Sequence, residues 1–145
     1  KTYSLMIRQS CPATPGQEKK EPFHIPIALG LLGQDGKDLV QNEQTPPRPP
    51  LAKGGDGGVG EGPGTVILEL KEAEQPFVFV NIAEEPVPSF LRGFSAPVKV
   101  KLELSDDERL FLMAQDSDPF NRWDAGQRLA LPGMDQQHVV FDRAR

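Results

Sequence analysis

Residues 98–114 read VKVKLELSDDERLFLMA, and their hydrophobic period changes at Ser105. Before Ser105, apolar and polar residues alternate, which is typical of a half-buried strand. From Ser105 to Glu108 the sequence matches a capping box, in which the serine hydroxyl accepts from a free helix amide and the glutamate bonds back. The apolar face of the helix that follows is expected to consist of Leu110, Phe111, Met113 and Ala114. This stretch therefore predicts a β-rich region followed directly by a helix.

The residues before this stretch predict further short strands. Period-two patterning and turn residues place them at 2–10, 23–32, 65–70, 75–81, 90–94 and 98–104, with a returning strand that begins at Leu39. The inward face of the second strand is expected to consist of Phe23, Ile25, Ile27, Leu29 and Leu31. Pro26 has no amide donor, so we expect this strand at a sheet edge or bulged. Six or seven short strands with turns between them predict an antiparallel β-sandwich.

A second short helix is predicted after the first. Asp118 is a typical N-cap, and Pro119 occupies the first helical position, where an amide donor is not needed. The inward side of this helix is expected to consist of Phe120, Trp123 and Ala130. Residues 131–133, Leu-Pro-Gly, end it, and residues 134–145 show no clear period.

Composition and charge exclude several classes of protein. The chain has 145 residues, a net charge of −5 and one cysteine, Cys11. The basic footprint of a nucleic-acid-binding protein is missing, and so is an internal disulfide framework or a cysteine-based zinc ribbon. No run approaches the roughly 18–20 apolar residues of a membrane helix. We interpret the acidic excess in the predicted helices as a solvated surface rather than a binding patch. The sequence begins at Lys1 without an initiator methionine, and we expect it to be a piece of a longer protein.

Catalytic and metal-binding patterns are weak. His24 and His138 are far apart and lack the spacing of a helical zinc pair. Cys11 has no neighbour that would stabilise a thiolate, and no G-x-S-x-G motif is present. The acidic pairs at 84–85 and 106–107 are sequence neighbours whose side chains diverge. We therefore predict no catalytic, cofactor-binding or metal-binding residue.

Residues 41–64 are rich in proline and glycine and are predicted to form a long loop. Residues 55–60 match G-x-G-x-x-G by letter, but no strand precedes them and no helix follows, so a phosphate-binding loop is rejected. Residues 46–49 form a P-x-x-P sequence that we interpret as an inert loop rather than an SH3 ligand.

Several stretches resemble the middle domain of bacterial-type alanyl aminopeptidase N. The resemblance is carried by residues 3–9, 12–15, 23–28 and 74–79 and, most specifically, by 86–99 (PVPSFLRGFSAPVK) and 111–127 (FLMAQDSDPFNRWDAGQ). It covers most of 2–131 except the loop. The resemblance implies an Ig-like antiparallel β-sandwich followed by two short α-helices. It also implies that the parent is a zinc metallopeptidase of the gluzincin type, which removes N-terminal amino acids from peptides.

The resemblance implies the following organisation. Residues 1–104 form the sandwich, 105–131 the start of a helical C-terminal domain, and 132–145 a tail of uncertain origin: an expression remnant, an alternative C-terminus or a divergent stretch. The family's zinc motif, substrate loop and transition-state tyrosine match no position here, so zinc belongs to the parent's catalytic domain and not to this chain.

Three functions are weighed. The first is a non-catalytic scaffold that bridges and orients the catalytic and helical domains of the same cytoplasmic parent chain. In the isolated chain the apolar faces of its helices would be exposed to solvent and would promote self-association. The second is a free-standing Ig-like interaction module, and the third an autonomous hydrolase, for which no ligand set or nucleophile is found. We favour the scaffold.

Overall fold

The structure, a computed structural model, describes residues 1–17, 19–39, 64–98 and 100–131, and the backbone of 139–144. Its strands are β1 (Tyr3–Gln9), β2 (Ile25–Leu32), β3 (Thr65–Leu70), β4 (Glu74–Phe79), β5 (Val87–Phe90), β6 (Val100–Leu102) and β7 (Val139–Ala144). Its helices are α1 (Asp106–Gln115) and α2 (Pro119–Ala130), and a 3-10 turn spans Arg92–Phe94. The residues predicted to form the loop 41–64 lie outside the described part except for Gly64.

Two sheets pack face to face, so the expected sandwich is confirmed. One sheet has the order β4-β1-β7-β6 and the other β3-β2-β5. Neighbouring strands are antiparallel in both sheets, apart from the parallel pair of β6 and β7. The alternation read in β1 explains the core, because Leu5 and Ile7 point inward and are fully buried. The same alternation buries Phe77 and Phe79 and leaves Val78 exposed.

Strand β2 departs from the predicted pattern at both ends. It begins at Ile25, so Phe23 precedes it and is 53% exposed rather than inward-facing. Ala28 and Leu32, on the opposite face, are completely buried. Leu32 packs against Leu112 and Ala125 of the helices. The helices therefore cover the Leu32 end of the outer face, while Arg92 lies against Gly30 and Ser95 bonds to the Ala28 amide. The alternation expected of a strand with one solvated face is thereby removed.

Pro26 does not mark an edge strand, because β2 lies between β3 and β5. However, β5 pairs only with Leu29–Leu32, and Pro26 lies beyond that pairing. Ser95 replaces the missing neighbour: its hydroxyl accepts from the Ala28 amide and donates to the Pro26 carbonyl. The missing donor of Pro26 is therefore tolerated in the half of the strand that has one strand partner.

The strand predicted at 90–94 is wrong beyond Phe90. Leu91, Gly93 and Phe94 have left-handed backbones, with φ of 51°, 62° and 52°. Such angles cannot continue a strand, and they turn the chain sharply after β5. The returning strand predicted from Leu39 lies outside the described residues beyond Leu39 itself, and an isolated bridge joins Leu32 and Asp38 just before it.

Both helices begin as predicted. Ser105 and Glu108 form the capping box, and the Asp118 carboxylate accepts from the amides of Phe120 and Asn121. The predicted inward faces are correct for Phe111 and Phe120, which are half-buried, and wrong for their other members. Leu112, Asn121 and Ala125 are buried, whereas Leu110, Met113, Ala130 and Trp123 are exposed, the last at 60%. The reason is that α1 and α2 contact the sandwich along one narrow side. The apolar residues of each helix do not by themselves specify which side that is.

Part of the tail forms a strand that its sequence pattern did not predict. Residues Val139–Ala144 form β7 between β1 and β6 in the larger sheet. Backbone pairing with one strand on each side stabilises β7, although its sequence shows no clear alternation.

Candidate functional site at the junction of sandwich and helices

The residues considered for chemistry remain separate. His24 lies 3.8 Å from Glu69 in an exposed pair, and Cys11 is exposed with no disulfide. Glu84 accepts a hydrogen bond from the Gln34 amide at 2.8 Å, and Asp106 pairs with Arg109 of its own helix. Within the described residues no three His, Cys, Asp or Glu side chains are grouped so as to hold a metal ion. His138 and the motifs at 46–49 and 55–60 lie outside the described part.

A buried polar cluster lies instead where the sandwich meets the helices. Its centre is Arg92, which is only 3% exposed. The Arg92 Nε donates to Ser89 Oγ at 2.9 Å, Nη1 donates to Thr65 Oγ1 at 3.1 Å, and Nη2 donates to Asp38 Oδ1 at 2.7 Å. A planar guanidinium with five donors is suited to such a set of fixed acceptors. Arg92 thereby joins β5, the start of β3 and the chain after β2.

The helices reach the same cluster through the turn between them and the first turn of α2. Asp116 Oδ1 lies 3.5 Å from Arg92 Nη2. Asn121 Nδ2 donates to Ser89 Oγ at 2.9 Å. The Gly93 amide donates to the Asp118 carboxylate, which also caps α2. Side chains of the two helices are thus bonded directly to the strand end and turn that carry Arg92.

Two glycines provide the space that this cluster needs. A methyl group at Gly30 would overlap the Arg92 guanidinium, and one at Gly64 would overlap the Asp38 side chain. Gly64 also has a left-handed φ of 83°, which favours glycine independently. The cluster therefore depends on small residues in β2 and just before β3.

The charge of the cluster is unbalanced, since one guanidinium faces two carboxylates. Burial raises the pKa of Asp116, while hydrogen bonds from Ser89 and the Asp118 amide and the charge of Arg92 lower it less strongly. Asp116 Oδ2 has no hydrogen-bond partner among the described residues. Isolated buried charge is costly, so the hydrogen bonds and the charge of Arg92 offset part of the cost of burying this carboxylate.

A cleft of about 410 Å³ lies beside the cluster, between the sandwich edges and the helices. It is lined mainly by apolar side chains of β5, β6 and α2, including Phe90, Val100 and Phe120. Arg128 of α2 closes one side, because its Nη1 donates to the Val100 carbonyl at 3.4 Å. The helices thus cover the edge strands β5 and β6, which would otherwise offer unpaired backbone groups.

A row of aromatic rings crosses the junction on its outer side. The ring centroids of Phe94 and Phe120 are 5.4 Å apart, and those of Phe120 and Trp123 are 6.2 Å apart. Phe94 belongs to the sandwich and the other two to α2. The sequence predicted Phe120 and Trp123 as core residues. The Trp123 side chain, however, lies at the end of this row and is mostly exposed to solvent.

Sequence reasoning did not identify the cluster. One signal was available: Arg92 is the only charged residue among residues 86–98, an otherwise apolar and proline-rich stretch. A lone charge in such a stretch indicates a buried partner, but it does not identify that partner.

Comparison with known proteins places this junction in a family. A family model described as a domain of unknown function (DUF3458) with an Ig-like fold matches residues 1–103. The chain belongs to the DUF3458 family. A second model, described as DUF3458_C with ARM repeats, matches residues 106–139. The two matches meet at the start of α1, beside the Arg92 cluster.

Curated relatives of this DUF3458 chain confirm the resemblance to aminopeptidase N. Aminopeptidase N of Escherichia coli (strain K12) is 42% identical over 127 residues, which is 88% of this chain and 13% of the relative. Aminopeptidase N of Haemophilus influenzae is 33% identical over 143 residues, 98% of this chain and 14% of the relative. That of Caulobacter vibrioides is 39% identical over 103 residues, 71% of this chain and 9% of the relative. The chain thus spans between 9% and 14% of the length of these relatives.

A solved structure agrees with this placement. Legionella pneumophila aminopeptidase A, crystallised in complex with aspartic acid, is similar with a TM-score of 0.62 and 30% sequence identity. The similarity covers 88% of this chain and 11% of that one. In the described part of the chain, no helix is long and apolar enough to cross a bilayer.

Proposed function

We propose that this chain is a non-catalytic part of an aminopeptidase N-like zinc metallopeptidase, in which it joins a catalytic domain to a helical C-terminal domain. The observation that carries the proposal is the 42% identity to the E. coli enzyme over 88% of this chain but only 13% of the enzyme. A segment of that size matches one part of the enzyme. The parent would be cytoplasmic and would remove N-terminal amino acids from peptides.

The junction supports a role in orientation. The α1–α2 pair is attached to the sandwich by the buried bonds of Arg92 and Asn121 and by the Asp118–Gly93 contact. Such bonds are directional, unlike apolar contacts alone, so they favour one angle between the two parts. Catalysis is sensitive to such geometry, since a displacement of about 1 Å can cost roughly 100-fold in rate.

The family resemblance implies zinc in the catalytic domain of the parent, and we propose no zinc ligand in this chain. The part of the reaction that we propose for this chain is positioning. We expect the isolated chain to leave aminoacyl-nitroanilides intact, with or without added zinc.

A chimera tests the proposal. The matching 127-residue stretch of E. coli aminopeptidase N is replaced by the corresponding residues of this chain. The chimera should keep hydrolysis of alanyl-nitroanilide, whereas a chimera that carries an unrelated Ig-like domain of similar size should lose it. A folded chimera without activity would contradict the orienting role, and zinc-dependent turnover by the isolated chain would contradict the non-catalytic one.

An immunoblot of the source cells tests whether the chain is part of a larger protein. A band several times larger than 15.9 kDa is expected. A sole band near 15.9 kDa would favour a free-standing interaction module instead.

A further inference from the structure

One nitrogen of Arg92 faces two carboxylates from different parts of the chain. Its Nη2 lies 2.7 Å from Asp38 Oδ1 and 3.5 Å from Asp116 Oδ1. Asp38 follows β2, and Asp116 lies in the turn between α1 and α2. The Asp38 side chain is 16% exposed and that of Asp116 is 0% exposed. One positive charge therefore serves two largely buried negative charges.

The other bonds of Arg92 hold the guanidinium to the sandwich. Nε and Nη1 are directed to Ser89 and Thr65, and the backbone of Gly30 lies against the guanidinium. Because these bonds fix the plane of the group, it cannot follow Asp116 if the helices move. Arg92 is thus a fixed point relative to which the helical turn is placed.

We propose that Arg92, by holding Asp116, positions the α1–α2 pair on the sandwich together with the Asn121–Ser89 and Asp118–Gly93 bonds, and that Asp38 competes with Asp116 for the same nitrogen. This inference rests on the proposed function, because it names the residue through which the chain would set the orientation. A buried carboxylate that loses its charge partner is destabilised, which favours uptake of a proton or movement into water. Since the Asp116 turn connects both helices, its movement into water would displace the pair.

Distance measurements between spin labels test the positioning. In the full chain with Cys11→Ser, labels are attached at Lys71→Cys in the β3–β4 turn and at Gln127→Cys on α2, both exposed positions. The starting protein should give one narrow distance distribution. Arg92→Lys should lose that single population and give a broad one, while the circular dichroism of strands and helices is retained. Lysine supplies a charge but not the planar set of donors.

Arg109→Lys is the matched control. Arg109 lines the same cleft, but its ion pair is with Asp106 of its own helix at 3.2 Å. Its substitution should leave the narrow distribution unchanged. A narrow distribution in a folded Arg92→Lys protein would overturn the positioning role.

The competition has its own test, which does not require loss of Arg92. Asp38→Asn should lower the pKa of Asp116, because a negative charge that shares Arg92 Nη2 with Asp116 is removed. The charged groups that act directly on Asp116 are Arg92 and Asp118, and Asp38 shares Arg92 Nη2 with it; only Asp38 is changed. The carboxyl carbon of Asp116, followed by NMR during an acid titration, should show a lower midpoint in Asp38→Asn.

Asp124→Asn is the control for this titration. Asp124 pairs with Arg128 at 2.7 Å on α2 and should not change the Asp116 midpoint. An unchanged midpoint in Asp38→Asn would overturn the competition. Failure of the proposed function would look different: a broad distance distribution already in the starting protein would contradict a rigid spacer, whatever the role of Arg92.

Discussion

At the residue scale, Gly30 decides whether Arg92 can lie inside the protein. The backbone of Gly30 does not have a left-handed φ, so an alanine there would be tolerated by the backbone. Its methyl group would instead overlap the guanidinium. The requirement for glycine is therefore one of space.

Gly30→Ala is expected to lower the free energy of unfolding by about 3–5 kcal/mol, because displacement of Arg92 leaves Asp38 and Asp116 without their charge partner. Urea denaturation measures this loss. Gly126→Ala in α2 is the matched control: its new methyl would meet only the flexible Met113 side chain, with Sδ at 3.2 Å. The control should change stability by less than about 1 kcal/mol and in the favourable direction. Equal losses in the two variants would contradict the spatial argument.

Two aspartates should influence stability with opposite dependence on pH. Burial raises the pKa of Asp116 above its usual 3.8, so the folded state binds this proton more tightly than the unfolded state. The resulting destabilisation is complete above the folded pKa and disappears as the pH falls towards 3.8. Hydrogen bonds from Lys37 lower the pKa of Asp35, so its stabilising effect is present above 3.8 and is lost on acidification.

Urea denaturation between about pH 7 and about pH 3 separates the two effects. The wild-type chain should gain stability relative to Asp116→Asn as the pH falls, and should lose stability relative to Asp35→Asn. Changes of the same sign for both pairs would contradict the assignment.

At the scale of the element, the two helix caps differ in what they hold. Ser105 satisfies amides of its own helix at an exposed position. Asp118 caps α2 and also accepts from Gly93, in the left-handed turn of the sandwich. The second cap therefore has a structural role beyond its own helix.

Ser105→Ala is expected to cost about 1 kcal/mol, the usual effect of losing an N-cap. Asp118→Ala should cost about 2–3 kcal/mol, because the partly buried Gly93 amide also loses its acceptor. Thermal and urea denaturation measure both values. A difference of less than about 0.5 kcal/mol would mean that the Gly93 contact contributes little to stability.

At the scale of the whole molecule, the last strand connects the C-terminal end of the chain to the sandwich. β7 pairs with β1 along six residues from Val139 to Ala144, and with β6 on its other side. The sheet β4-β1-β7-β6 is therefore complete only when the residues after α2 return to it.

A chain that ends at Leu131 is expected to unfold at a lower temperature and to self-associate more strongly than the full chain, because β1 would become a sheet edge and β6 would lose the strand with which it pairs. Calorimetry and analytical ultracentrifugation measure these changes. Replacement of residues 132–138 by a glycine-serine linker of equal length is the control, and should keep the oligomeric state and the melting temperature of the full chain. If the shortened chain behaves like the full chain, β7 contributes nothing to the stability of the sheet.

Much of the fold could be predicted because its signals are local. The alternation of β1 and β4, the period change at Ser105 and the caps at Ser105 and Asp118 involve residues at most four positions apart. Steric and hydrogen-bonding preferences act at that range whatever the rest of the chain does. The family resemblance also followed from the sequence, through continuous stretches such as residues 86–99.

The candidate site could not be predicted, because it depends on contacts between distant residues. Arg92 bonds to Asp38 and Thr65 across 54 and 27 positions, and Asn121 bonds to Ser89 across 32. The buried face of each helix also depends on distant contacts, because it is set by where α1 and α2 lie on the sandwich. The sequence by itself determined the elements and the family, whereas the tertiary structure alone decided which polar side chains are buried together. The physical reason is that hydrogen bonds and ion pairs are stronger in the low-dielectric interior than in water, and which groups are in the interior is a property of the packed chain.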